Sequence, residues 1–345
     1  MTEKQRDSRL SLKPLAGAAD IEAAARAYQR SRILLTAVEL GLFSVLGEHP
    51  RPAADVAKDL GADARAVDRL LASLTVLGLA RVENNGFCAT QIARRFLDSA
   101  SPEFLGGLGH LAQLWTNWSG LTAAVRTGRP AGEALEKKDS RHFEAFIRAM
   151  HYRAKGPAAA LAEALDLRGA RNMLDVGGGS GAFSIALVEK NPNLRAVVLD
   201  LPQVAPLAAS YVRQAGLSER VSTRAGDFRK GALGEGFDLI LLSAIAHMSS
   251  SAQNRELLAR CRMALNPGGM VAIKDFIMDE DRLSPAFGAF FALNMLVNTQ
   301  SGDTYTEAEI TGWLIKEGFR EPRRIELPGP ASAIVAMRPH EQEKT

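Results

Sequence analysis

Cysteine is the scarcest reactive residue in this chain, with two in 345 residues, Cys88 and Cys261. They stand far apart and neither has a metal-ligand neighbour. That excludes a disulfide framework and predicts reduced thiols in a cytoplasmic protein. Histidine is sparse too. The six (His49, His110, His142, His151, His247, His340) follow no spacing typical of a zinc site, so no metal is expected. No apolar run is long enough to span a bilayer, and residues 1–13 are polar, without the apolar core of an export signal. Charge of one sign is also lacking. A net +3 from 42 basic and 39 acidic residues argues for no polyanionic partner. No internal repeat or low-complexity tract is present, and the length allows two domains, each with its own core.

Glycine, by contrast, is concentrated where it matters. Met173-Leu174-Asp175-Val176 reads as a buried strand that breaks into Gly177-Gly178-Gly179-Ser180-Gly181. A helix resumes at Ala182. A side chain in that turn would keep the backbone away from a ligand seated on the helix N-terminus. About twenty residues on, Val197-Val198-Leu199-Asp200 is a second apolar strand ending in an acid, suited to accept both hydroxyls of a ribose. Gly177, Gly179 and Ala182 also satisfy the alanine-ended dinucleotide spacing, so a nicotinamide or flavin coenzyme survives this step. Asp175 tips the balance. Placed at the strand end and facing the crevice, it would repel a pyrophosphate and attract an ammonium and a sulfonium. A third strand over 221–226 ends in Asp227-Phe228, an acid for an adenine amino group beside a ring to cover its face. The three together predict an S-adenosylmethionine site.

The flanks complete an α/β pattern. Residues 21–46 read as one helix, 51–60 and 63–77 as two more, and 80–90 as a hairpin turning at Asn85-Gly86. Three helices and a hairpin make a winged helix, which alone would suggest DNA binding. Its third helix sets Asp63 and Asp68 against Arg65 and Arg69, and the wing carries Glu83 and two asparagines. That balance is wrong for phosphate, so no nucleic acid is expected. Beyond it, strands are expected over 173–176, 196–199, 221–225, 237–243 and 270–276, alternating with helices as a parallel sheet requires. Two short runs, 324–327 and 332–337, form a closing antiparallel hairpin.

Leu174 to Gly181, Leu199-Asp200-Leu201-Pro202, Gly226-Asp227-Phe228 and Asn266-Pro267-Gly268-Gly269 together resemble the class I S-adenosylmethionine-dependent methyltransferases. More narrowly, the chain is similar from about Ala24 to Arg338 to the plant-caffeate-type and bacterial small-molecule O-methyltransferases, which carry an N-terminal winged-helix dimerisation domain. The resemblance implies a doubly wound Rossmann-like sheet behind a mainly α domain. It also implies a homodimer and a small, aromatic, hydroxylated acceptor. The boundaries expected are an arm over 1–20, the winged helix over 21–100, a helical connector over 101–155 and the catalytic domain over 156–345.

Asp175, Gly177, Gly179, Asp200, Leu201, Asp227, Phe228 and Ser243 are the expected cofactor contacts. His247, delivered by the fourth strand, matches the family's catalytic base. A neutral imidazole there can take the proton of a phenol with a pKa of about 10. For the acceptor the candidates are Trp115 or Trp118, Met150 and His151, and Phe291, Asn294 and Met295 on an aromatic-rich helix. The pattern departs from the family beside the base. His247-Met248-Ser249 replaces His-Asp-Trp, and by register the two flanking carboxylates fall on Ala292 and Thr304, with Asp303 next to the second. Lys274 and Asp275 read as strand caps or crevice floor. Two rivals remain: methyl transfer to nitrogen or carbon, or a non-methylating reaction on the same fold; and a regulator that senses the cofactor.

Overall fold

Gly41 divides what the sequence pattern presents as one long N-terminal helix. The computed structural model describes residues 14–130 and 140–340, without the side chains of residues 140–146 and 149. Helices α1 (Ala18–Arg26), α2 (Tyr28–Glu39) and α3 (Leu42–Leu46) replace the single element: α1 gives way to α2 at Ala27, and Gly41, left-handed at φ 65°, re-aims the chain between α2 and α3. Helices α4 (Ala53–Leu60) and α5 (Ala64–Val76) follow, the latter capped by the Asp63 side chain accepting from the Ala66 N–H.

Strands β1 (Ala80–Glu83) and β2 (Gly86–Ala89) pair with Glu83 opposite Gly86, so the two-residue turn is Asn84-Asn85, one position earlier than expected. Both asparagines adopt positive φ, at 45° and 61°. Gly86 serves a close approach instead. A Cβ there would stand 2.7 Å from the Arg51 nitrogen, which bonds the Phe87 carbonyl. Helices α6 (Gln91–Leu97) and α7 (Leu108–Ser119) end this region. Its core is Leu42, Phe43, Leu46, Val67, Leu71 and Leu74, all buried.

The chain divides into two units, Leu12–Thr116 and the part from Asn117 onward. The second contains α8 (Leu121–Thr127) and α9 (Ser140–Ala164), which runs unbroken past residues 155 and 156. Then come β3 (Asn172–Val176), α10 (Ala182–Lys190), β4 (Arg195–Asp200), α11 (Ala205–Gln214), β5 (Val221–Ala225) and β6 (Phe237–Ser243). A single 3-10 turn over Ala246–Met248 leads to α12 (Ser251–Ala264), β7 (Leu265–Asp275), α13 (Ala286–Asn298), α14 (Glu307–Lys316), β8 (Arg320–Glu326) and β9 (Ser332–Met337). β7 begins five residues before the expected strand because Asn266-Pro267-Gly268-Gly269 is carried in its first part.

The sheet order is β5-β4-β3-β6-β7-β9-β8. β3 to β7 pair in parallel, while β9 lies antiparallel to β7 and β8. This is the doubly wound sheet with an antiparallel closing hairpin that the sequence predicts. Order reverses at β3, between β4 and β6, which is where such sheets open a crevice beyond their carboxyl ends. Alternating side chains bury both faces. Leu174, Ile240, Val271 and Ile273 join one core, and Met173, Leu239, Leu241 and Ala272 the other. No helix among the described residues is long and apolar enough to cross a membrane.

Candidate active site at the carboxyl edge of the sheet

The glycine loop after β3 is shaped by what surrounds it. Gly177 has φ 64°, and a Cβ on it would stand 2.4 Å from Ile245 Cδ1 and 3.2 Å from Phe228 Cε1. Only glycine satisfies both the dihedral and the space. Phe228, half-buried, therefore borders the loop. The Gly179 N–H donates to Asp200 Oδ2 at 2.7 Å, and the Leu201 N–H donates to Oδ1 at 2.7 Å. Burial pushes the Asp200 carboxyl above its usual range, with those two donors opposing.

Asp175 stands elsewhere than expected. It does not face the crevice. Its side chain is 1 % exposed and lies beneath the loop, where a Cβ on Gly178 would meet it at 2.7 Å. The Ser184 hydroxyl of α10 donates to Oδ2 at 2.8 Å, while Oδ1 is buried without a partner. Burial pushes this carboxyl up to about 7; the Ser184 bond opposes the shift and the nearby Asp200 charge adds to it. The Asp200 charge thus reaches Asp175 beneath a loop built to admit backbone-close ligands. Such a cradle fits a cationic sulfonium nucleoside, through the Asp200 carboxylate rather than by direct contact with Asp175.

Asp227 is engaged already. Arg229 donates to it through Nε at 2.8 Å and through its backbone N–H at 3.0 Å, and holds the carboxyl below the usual range. An adenine amino group would share this carboxylate with the guanidinium. Ser243 closes β6, half-buried, opposite Lys274.

Past Ser243 the chain leaves the sheet abruptly. Ala244 takes φ 60°, a conformation costly for a residue with a Cβ, and turns the strand into the short 3-10 segment. That turn aims His247 back at the end of β7. Its Nδ1 lies 2.7 Å from Asp275 Oδ1, and its backbone N–H donates to Oδ2 at 3.1 Å. The Phe276 N–H also donates to Oδ1, at 2.8 Å. Asp275 is 5 % exposed and His247 8 %. Burial alone would raise the Asp275 carboxyl; His247, the Phe276 N–H and the Lys274 charge outweigh it and hold it low.

This corrects the sequence reading of the neighbourhood. The flanking carboxylate is present, on β7 rather than at Ala292 or Thr304. Asp303 accepts the Thr304 N–H at 2.8 Å, and among the described residues it makes no hydrogen bond to His247. With Nδ1–H fixed on the carboxylate, the neutral ring's lone pair sits on Nε2, which no described residue engages.

Aromatic rings wall the imidazole. Phe291 of α13 meets it edge-on at 4.8 Å, and Phe276 lies 6.3 Å away. Phe276 in turn packs on Phe291 at 4.6 Å and on Phe287 at 4.7 Å. Thr304 and Tyr305 line a narrow recess on the other side. The Tyr305 hydroxyl donates to the Ser249 carbonyl at 2.5 Å, and burial pushes its pKa up to about 12, so it remains a donor.

The remaining acceptor candidates separate. Asn294 accepts from Trp118 Nε1 at 3.0 Å, so Trp118 is the tryptophan that meets α13. Trp115 lies in the N-terminal unit, 6.3 Å from Tyr28 and under Arg32. Met295 is buried, and Met150 is half-buried on α9. His151 belongs to the glycine loop rather than to the aromatic wall. It stacks on Tyr211 at 3.9 Å and shares a 3.0 Å hydrogen bond with the Ser180 hydroxyl. Burial, with Lys155 nearby, lowers its pKa to about 4, so it is neutral near pH 7. The sequence signal for this contact is the serine inside the glycine run, which by itself reads only as part of the turn.

Comparison with known proteins gives the family. Residues 118–320 match the model of an O-methyltransferase domain, and residues 23–99 that of an O-methyltransferase dimerisation domain. A 3-hydroxy-5-methyl-1-naphthoate 3-O-methyltransferase of Streptomyces sahachiroi is 35 % identical over 89 % of this chain and 91 % of its own. The tetracenomycin polyketide synthesis 8-O-methyl transferase TcmO of Streptomyces glaucescens is 32 % identical over 94 % of this chain and 97 % of its own. The crystal structure of human N-acetylserotonin methyltransferase in complex with S-adenosylmethionine superposes with a TM-score of 0.79 at 26 % identity, covering 95 % of this chain and 100 % of that one. This chain belongs to the S-adenosylmethionine-dependent O-methyltransferases that carry an N-terminal dimerisation domain.

Proposed function

We propose that the protein methylates a phenolic hydroxyl of a small aromatic metabolite, with His247 as general base and Asp275 as the group that orients it. The observation that carries this reading is the 2.7 Å His247–Asp275 pair set into the Phe276–Phe287–Phe291 wall. Bound in the crevice, S-adenosylmethionine supplies an activated methyl group. Everything else is positioning and proton management. Asp200 would hold the ribose hydroxyls, with Leu201 beside it. Asp227 and Phe228 would flank the adenine. Gly177, Gly179 and Ser243 would line the path of the methionine portion. The phenylalanines align a flat ring and exclude water, while Nε2 accepts the phenolic proton and Asp275 stabilises the imidazolium that forms. A base so placed contributes about a hundredfold to ten-thousandfold.

We further assign a homodimer assembled through the region matching the dimerisation domain, acting in the cytoplasm, where Cys88 and Cys261 stay as buried thiols. The test is a methyl-transfer screen over phenols and polyketide-like hydroxyarenes, with His247→Ala alongside. Turnover of a phenol that falls at least a hundredfold in the variant, with adenosylhomocysteine binding unchanged, supports the assignment. Methylation of amine analogues alone would overturn it.

A further inference from the structure

We propose that Lys274 recognises an anion, and that its partner is a carboxylate carried by the aromatic acceptor whose hydroxyl meets His247. The inference deepens the function proposed above and rests on it.

Lys274 is the penultimate residue of β7 and is 8 % exposed. Lysine is almost never buried to this degree without a charged partner. Here none is supplied. Among the described residues the ammonium makes no hydrogen bond or ion pair. Its ring neighbours are Phe183 at the start of α10, at 5.4 Å, and Phe276, at 5.8 Å. The adjacent carboxylate, Asp275, points to the opposite face of the strand and is spent on His247 and the Phe276 N–H. Burial accordingly lowers the lysine's pKa, with the Asp275 charge resisting. An ammonium left this way gains more from an incoming anion than a solvated one would, because its desolvation has already been met by folding.

Its place relative to the base selects the source of that anion. Phe276 is shared. The lysine nitrogen lies 5.8 Å from its ring centre and the imidazole 6.3 Å from the same centre, so one ring adjoins both groups. A flat hydroxy acid laid on Phe276 and Phe291 would direct its hydroxyl to Nε2 and its acid toward Lys274. The cofactor's own carboxylate is the other possible source, since Phe183 belongs to the helix that follows the glycine loop. The Phe276 ring shared with His247 favours the acceptor.

The experiment is a binding titration of the full-length protein in saturating adenosylhomocysteine, using 3-hydroxy-2-naphthoate and 2-naphthol as probes. The wild type is expected to hold the naphthoate about ten- to a hundredfold more tightly, as a buried charge-assisted pair implies. Lys274→Met should abolish that preference, Lys274→Arg should keep most of it, and adenosylhomocysteine affinity should stay within twofold throughout. Equal binding of the two probes by the wild type overturns the proposal without needing any variant. So does failure of both probes to bind. A Lys274→Met variant that loses adenosylhomocysteine in parallel overturns it in favour of the cofactor's carboxylate. Wild-type protein that does not bind adenosylhomocysteine would instead sink the methyltransferase reading of the site.

Discussion

Asp275→Asn is the sharpest test of the proposed chemistry, because the structure says which atoms survive the change. The substituted amide can keep its oxygen at the Oδ1 position, where it still accepts from His247 Nδ1–H and from the Phe276 N–H. The amide nitrogen then faces the His247 backbone N–H, which donates to Oδ2 in the wild type. The tautomer is preserved and the negative charge is lost. Opposite charges at contact are worth about 4 kcal/mol at an effective dielectric of ~20. If the imidazole carries roughly half a proton's charge in the transition state, about 2 kcal/mol is lost, or some thirtyfold in turnover. Initial rates of labelled methyl transfer to the best phenol from the screen measure this, with adenosylhomocysteine calorimetry as the control for folding. His247→Ala should cost more, and the double variant no more than His247→Ala alone, because Asp275 acts through the ring. An Asp275→Asn enzyme within twofold of the wild type, or a double variant whose losses multiply, would refute the reasoning. The sign of the linkage is also fixed. Since the Asp275 carboxyl is held below its usual range, its contribution to folding is present at neutral pH and is lost as pH falls through the folded value.

Gly177→Ala should lower the thermal midpoint and weaken adenosylhomocysteine binding at least tenfold, since its Cβ would overlap Ile245 and the left-handed backbone adds about 1–2 kcal/mol; calorimetry showing native affinity would count against the loop assignment. Asp200→Ala should abolish measurable adenosylhomocysteine binding, and near-native affinity would remove Asp200 from the site. Asp175 gives the opposite linkage to Asp275. Its carboxyl is raised to about 7, so its contribution to stability is greatest below about pH 4 and declines as pH rises through that value. Asp175→Asn should flatten the urea midpoint between about pH 4 and 8, and a slope identical to the wild type's would contradict the burial argument.

The sheet is legible in the sequence because each strand carries its own signal. Apolar runs such as 237–243 and 332–337 announce buried strands regardless of what they pair with, and the structure returns those bounds unchanged. The glycine loop and Asp200 are legible for a similar reason, since their chemistry is local. What sequence spacing conceals is long-range. Asp175 is the last acid before the loop and reads as exposed to a ligand, yet the pleat turns it under α10, onto Ser184. His151 and Ser180 lie on different elements and meet only after α9 packs against α10. The turn falls at Asn84-Asn85 although asparagine followed by glycine is the stronger local signal, because Gly86 is set by Arg51, far away in the chain.

The His247–Asp275 pair shows why the missing carboxylate cannot be found by matching segments in one dimension. Ser243 pairs with Lys274 in the parallel register of β6 and β7, and the Ala244 N–H donates to the Lys274 carbonyl at 2.8 Å. That register sets Asp275 level with the point where β6 ends. The positive φ of Ala244 then bends residues 245–248 back across the neighbouring strand instead of onward into solvent. Base and carboxylate are therefore joined by strand pairing and one strained residue, not by spacing along a shared helix or loop. The pleat of β7 sends Lys274 and Asp275 to opposite faces, so one strand end orients the base with its last residue and leaves the ammonium before it without a hydrogen bond among the described residues. Under the two proposals above, such a site would divide proton removal and acceptor selection between adjacent residues that share a backbone and the Phe276 ring but point to different faces of the strand.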